Sequence, residues 1–237
     1  MKIKVVFDSK SIGKGFSVGW GISFLVDDHI LFDTGEKSVY LFNNLKKMNI
    51  DISSIKAVVI SHDHWDHTGG LWDLLKKRKG IKVYACPHFT DEFKEKAKKL
   101  QGRLLETGNF AEIKKNIFVT GEIPGNYNDQ YMPEQSIVVK TVNGISVVTG
   151  CCHPGIVKIL RTVREKFPGE RFNLAFGGFH LRNSEKILIK NTIEKLQEMK
   201  VERVGLTHCS GREAEEMFKE SYKEHYISIK AGLTIEA

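Results

Sequence analysis

Ser61-His62-Asp63-His64-Trp65-Asp66-His67-Thr68-Gly69-Gly70 follows directly on the apolar run Ala57-Val58-Val59-Ile60 and decides how this chain reads. The run has the length and the β-branched content of a buried strand. Between positions 62 and 67 it is succeeded by three histidines and two aspartates. Neutral imidazole together with carboxylate is the donor mixture of zinc and its first-row neighbours. On a loop, His62 and His64 can point the same way toward one ion, while Asp66 and His67 reach toward a second site beside it. A polar surface loop with chance histidines would not explain so many costly-to-desolvate groups at the end of a buried strand.

The same arrangement recurs downstream. SVVTG-CCH ends at His153, LAFGG-FH at His180 and RVGLT-H at His208, each an apolar run closing in small or polar residues and then a histidine. Three of the four such runs lead through glycine or serine into a helical pattern. Strand-to-helix loops of an α/β fold gather at one edge of the sheet, where ligands bind. His29, His88 and His225 lack such a setting and read as solvent-facing residues.

Hydrophobic periodicity supports this class. Period-two or continuous apolar segments predict strands over Lys2 to Phe7, Gly21 to Val26, His29 to Phe32, Ala57 to Ser61, Lys82 to Ala85, Ile117 to Thr120, Ser136 to Thr141, Ile145 to Thr149, Asn173 to Phe176 and Arg203 to Thr207. Helical stripes run over Lys37 to Met48, Gly70 to Lys79, Asp91 to Leu100, Gly155 to Phe167, Ser184 to Met199 and Arg212 to Glu220. Asn143-Gly144 is a strong hairpin signal. The expectation is one domain over residues 1–237 built of two pseudo-repeated halves, approximately 1–120 and 121–237.

Bulk properties narrow the function classes. With 41% hydrophobic and 27% charged residues and only 5 prolines, the chain composes like a globular protein, not a disordered or fibrous one. No apolar stretch reaches the length of a bilayer span, and the opening MKIKVVFDSK alternates like a strand instead of forming a secretory apolar region. A cytoplasmic location is expected, with Cys86, Cys151, Cys152 and Cys209 as free thiols. The net charge of +7 raises the question of nucleic acid, but the lysines lie in mixed-sign helical segments such as DEFKEKAKKL, where glutamates solvate the same face.

HDHWDH resembles the HxHxDH signature of the metallo-β-lactamase superfamily. The resemblance spans the chain: GFS (15–17), FDTG (32–35), SHDHWDHTGG (61–70), EQSIVVKT (134–141), TGCCHPG (149–155), GGFH (177–180) and THCSG (207–211) stand in the order expected for its dihydropterin ribofuranosylaminobenzene-phosphate synthase-like subfamily. It implies an α/β, four-layer αβ/βα metallo-β-lactamase sandwich. It also implies two divalent metal ions, zinc in first place with iron or manganese as alternatives. The ligands would be His62, His64, Asp66, His67, His153 and His208, with Asp33 behind the metal loop. The chain departs from the family pattern at one place. The position of the metal-bridging aspartate reads Cys151, and the residues before the preceding hairpin are Pro133-Glu134-Gln135 in place of a histidine, so His153 is the candidate for the missing ligand.

The activity implied is a metal-dependent hydrolase that directs a metal-bridged hydroxide at an ester-type bond, phosphoester, lactone or thioester, of a small molecule. Asp66 would hold and orient the nucleophile, and His180 would donate a proton to the leaving group. The loop Thr120 to Met132, rich in Gly, Asn and Tyr, supplies Asn126, Tyr127 and Tyr131 as candidate substrate contacts. The alternatives are a pterin-pathway synthase acting on a phosphoribosyl-type substrate, a nuclease of the same superfamily, and a metal or redox protein without catalysis. Neither membrane nor nucleic acid is expected as a partner; a phosphorylated small molecule and a homo-oligomer are both compatible with the sequence.

Overall fold

Strand pairing in a computed structural model, which describes all residues from Met1 to Ala237, divides the chain into two units. The first comprises Met1–Gly108 with Lys230–Glu236, the second Asn109–Ile229. The C-terminal strand Thr234–Glu236 thus returns to pair with the first strand of the chain.

In the first unit the strands are β1 (Lys2–Phe7), β2 (Ser23–Val26), β3 (Ile30–Phe32), β4 (Ala57–Val59), β5 (Lys82–Ala85) and β6 (Arg103–Glu106). They form one seven-stranded sheet in the order C-terminal strand, β1, β2, β3, β4, β5, β6. From β3 onward the pairing is parallel, which is why β3 and β4 are apolar at every position and fully buried. The helices are α1 (Ser38–Lys47), the single turn α2 (Trp65–Thr68), α3 (Leu71–Lys77) and α4 (Asp91–Lys99). Leu41, Leu45, Leu71, Leu74, Leu75, Phe93 and Ala97 bury the apolar stripes of α1, α3 and α4 in a core shared with Leu31, Val58 and Val83. Each such leucine contributes about 1.5–3 kcal/mol by leaving water. Thr90 caps α4 by accepting from Phe93 N, with Asp91 and Glu92 in the first turn to complement the helix dipole.

The second unit holds β7 (Ala111–Lys114), β8 (Ile117–Val119), the short β9 (Asn126–Tyr127) and β10 (Gln130–Tyr131), β11 (Ile137–Thr141), β12 (Gly144–Thr149), β13 (Phe172–Gly178) and β14 (Val201–Thr207). Six of them make a sheet in the order β14, β13, β12, β11, β8, β7, and β9 pairs with β10 alone. β11 and β12 form the expected Asn143-Gly144 hairpin, whereas β12, β13 and β14 run parallel. Helices α5 (Ile156–Lys166), α6 (Lys186–Glu198) and α7 (Arg212–Tyr222) follow those parallel strands. Ile156, Ile159, Leu160 and Val163 of α5, Ile189, Ile193 and Leu196 of α6, and Ala214 and Phe218 of α7 close a second core over Val147, Phe172 and Ala175.

No helix is long and apolar enough to cross a membrane. The strands Arg103–Glu106, Ala111–Lys114, β9, β10 and Thr234–Glu236 are absent from the expected set: they are short, and none of their residues is buried on an alternating face except Ile235. α2 is likewise additional, so that Asp66 and His67 stand on a helical turn, with His64 as its extended N-cap and His62 in the bend before it.

Candidate metal centre

The parallel register of β3 and β4 positions the histidine loop of the first unit. Phe32 pairs with Val59, and Asp33 N donates to Val59 O at 2.9 Å, so the residues that leave the two strands emerge side by side. Asp33 adopts φ 54°, which turns its fully buried carboxylate under the loop. Oδ1 accepts from Ser61 N at 2.7 Å; Oδ2 accepts from Ser61 Oγ and from His67 Nδ1, each at 2.7 Å. Because the Ser61 hydroxyl spends its proton on Asp33, it accepts from His62 Nδ1, 2.9 Å away. Both imidazoles therefore carry their proton on Nδ1 and present the Nε2 lone pair. A buried carboxylate that fixes the tautomer of a ligating histidine is the usual support of a metal site.

His62 stacks close to both neighbours, with ring centroids 4.7 Å from His64 and 4.1 Å from His67. His67 Nε2 lies 3.5 Å from Asp66 Oδ2. Thr34 of the FDTG segment holds the His67 carbonyl through both its amide, at 2.9 Å, and its hydroxyl, at 2.8 Å. Gly21, at φ 96°, lets the chain pass against the metal loop: a Cβ there would stand 1.9 Å from the Asp66 carbonyl oxygen. Thus His62, His64, Asp66 and His67 come together, and Asp63 does not join them. Its Oδ2 instead accepts from Thr90 N at 2.8 Å and Oγ1 at 2.7 Å, tying the loop to the start of α4. Asp63 and Trp65 face a separate cleft of about 280 Å³ lined also by Glu36, Trp72, Glu92 and Lys96.

In the second unit the parallel ends of β12, β13 and β14 bring three loops to one edge, through Thr149 beside Gly177 and Gly178 beside Thr207. Gly178 N donates to Gly150 O at 3.1 Å, and Ser210 Oγ accepts from Phe179 N at 3.0 Å. Cys152, His180 and His208 all have positive φ, of 62°, 51° and 56°. Non-glycine residues held there cost about 1–3 kcal/mol each and cluster at functional sites. The ligand atoms of Cys151, His153 and His180 lie within 4.8 Å of one another, as do those of Cys151, His208 and Cys209.

Glu134 holds this arrangement, a role that its place before the hairpin did not reveal. Buried at 1% exposure, its carboxylate accepts from Cys151 N, Cys152 N and His153 N at 2.8, 2.9 and 2.9 Å. Glu134, from the Pro133-Glu134-Gln135 segment before the hairpin, therefore shapes the loop that carries His153.

The hydrogen bond to Cys209 raises the pKa of His180 against the opposing effect of burial. Burial by itself would push the Cys209 thiol up, but its hydrogen bonds with Cys151 and His180 and the neighbouring imidazoles hold it well below the ordinary thiol range. Cys152 moves the other way, raised well above that range by burial and by the negative charge of Glu134.

The three candidate substrate contacts separate. Tyr127 on β9 meets His153 and His180 with ring centroids at 5.1 and 5.7 Å. Tyr131 donates to Glu122 Oε1 at 2.9 Å on an exposed surface, and Asn126 is exposed. The β9–β10 hairpin turns through Asn128 and Asp129, both at positive φ, as a two-residue primed turn requires.

The donor chemistry fits divalent transition ions in both units: imidazoles with the Nδ1 proton already committed, one adjacent carboxylate, and a thiol beside imidazoles.

The sequence model of the metallo-beta-lactamase superfamily matches residues 23–208, and the chain belongs to that superfamily. Its α/β class agrees with that of its structural neighbours. The chain is 30% identical to the 7,8-dihydropterin-6-methyl-4-(β-D-ribofuranosyl)-aminobenzene-5'-phosphate synthase of Methanocaldococcus jannaschii, over 91% of this chain and 89% of that protein. Among solved structures it is similar to Tm1679, described as a metal-dependent hydrolase of the β-lactamase superfamily, with a TM-score of 0.84, 32% identity, and coverage of 100% and 99% of the two chains. Human tRNase Z, short form, shares the fold at a TM-score of 0.62 and 16% identity, over 100% of this chain and 99% of that one.

Proposed function

We propose that this chain is a metal-dependent hydrolase cleaving an ester-type bond, phosphoester, lactone or thioester, of a small molecule. His62, His64, Asp66, His67, His153 and His208 act as ligands of two divalent ions, zinc in first place. The observation that carries the reading is the brace of Asp33 and Ser61, which commits the Nδ1 protons of His62 and His67 and leaves each Nε2 as a donor. Bound divalent ions would supply Lewis acidity and a water acidified toward neutrality.

The chain's own residues do the rest. Asp66, fixed at its backbone by the close passage of Gly21, orients the attacking nucleophile. His180, kept protonated to higher pH by Cys209, donates a proton to the departing group. Tyr127, packed edge-on against His153 and His180, offers an aromatic face to the substrate beside them.

A second reading has specific support. The relative from Methanocaldococcus jannaschii, similar along nearly its whole length, is a pterin-pathway synthase, which favours a phosphoribosyl-type substrate on the same ligand set. One panel separates the two: zinc-loaded protein offered phosphodiester, phosphomonoester, lactone and thioester substrates, and separately a phosphoribosyl donor with an aromatic acceptor. Hydrolytic turnover lost in His180→Ala supports the hydrolase. Bond formation in the second assay without hydrolysis in the first replaces it by the synthase.

A further inference from the structure

Cys151 and Cys152 are adjacent, and by sequence alone both read first as small buried packing residues, with an extra metal ligand as the alternative for the Cys151 thiolate. The fold separates them. Cys152 belongs to the apolar core of the second unit with Ile123, Val138, Ile156 and Phe179. Cys151 is absent from that core and stands instead, within the second unit, in two donor sets, one with His153 and His180 and one with His208 and Cys209. It is the one residue common to both sets.

We propose that Cys151 is itself a metal ligand, its thiolate supplying a sulfur donor at the position where the family carries an aspartate. Three observations place it for that role. Glu134 takes the amides of Cys151, Cys152 and His153 on one carboxylate, which fixes the direction in which consecutive side chains leave the loop. Gly178 lets its strand end pass close to the Cys209 sulfur and the Cys151 backbone: a Cβ there would sit 2.7 Å from Cys209 Sγ and 3.3 Å from Cys151 Cα. Both cysteines are also buried, at 4% and 5% exposure, so the donor set is shielded from bulk water.

On binding, the Cys151 thiol proton passes to solvent and a sulfur–metal bond forms. A thiolate beside imidazoles selects zinc, iron or cobalt over magnesium and manganese, which favour oxygen donors. This inference rests on the metal-dependent reading above, and its test is chosen so that the two can fail separately.

The test loads the whole protein with cobalt(II) and records its absorption. The expected result is an intense thiolate-to-cobalt charge-transfer band, lost in Cys151→Ser and kept in Cys86→Ser, Cys152→Ser and Cys209→Ser. Cobalt bound without such a band, or a band lost only in Cys209→Ser, overturns the assignment while leaving the metal centre intact; absence of cobalt binding overturns both. Should Cys151→Ser not fold, X-ray absorption on the zinc-loaded wild type decides alone. A sulfur scatterer at about 2.3 Å is expected, and a shell of nitrogen and oxygen only contradicts the proposal.

Discussion

Asp33 accepts from His67 Nδ1 at 2.7 Å with both side chains fully buried, and the same carboxylate oxygen accepts from Ser61. One buried anion thereby sets the orientation of two histidines, His67 directly and His62 through Ser61. Asp33→Asn places an amide group where these donors converge. Metal affinity is expected to fall about 10–100-fold, read by competition with a chromophoric chelator; unchanged affinity would show that the brace is not needed.

Glu134→Gln should act on the fold of one loop more than on binding in general. Three amides lose a charged acceptor, and the expected destabilisation is about 2–3 kcal/mol. Urea unfolding of the metal-free protein measures it, and a change below about 0.5 kcal/mol would mean the loop holds its shape without this carboxylate.

Gly21→Ala tests the close passage behind Asp66. The added methyl group meets the Asp66 carbonyl in a backbone conformation that disfavours side chains. A loss of at least about 1 kcal/mol is expected together with weaker metal binding, whereas Gly80→Ala, which meets nothing within 4 Å but shares the positive φ, should lose stability only.

Tyr222 makes a pH-dependent contribution to stability. Burial raises its phenol pKa and its hydroxyl has no hydrogen-bond partner. The unfolded chain therefore ionises first as pH climbs: stability is whole below about pH 10 and is lost as pH rises toward the folded-state value. Tyr222→Phe should flatten that alkaline decline, and should raise stability at neutral pH by about 1 kcal/mol through loss of an unpaired buried group. An alkaline melting profile identical to wild type would refute this.

The parts of the fold that were legible in the sequence are those where one physical signal dominates. β3 and β4 are apolar throughout, and β13 is buried at every position, because parallel strands are covered on both faces, and α5 declares itself by Ile156, Ile159, Leu160 and Val163 at helical spacing. The histidines were legible because each stands at the end of such a strand. Glu134 was not, since a carboxylate that accepts main-chain amides 17 to 19 residues away has no local pattern. Nor did the sequence decide between packing and metal ligation for Cys151, because adjacent cysteines differ only in the direction the backbone gives them; Asp66, by contrast, was singled out over Asp63 by its place in the resemblance. The edge strand Thr234–Glu236 escaped for a related reason: its pairing with β1 is contact at maximal sequence separation.

The central claim is tested most directly by elemental analysis of metal in the wild type and in a His62→Ala/His64→Ala double variant, with circular dichroism to confirm that both fold. The account predicts two equivalents of a transition ion in the wild type and a clear loss in the variant. A wild type that folds without metal, takes up none when zinc is offered and matches the double variant would contradict it.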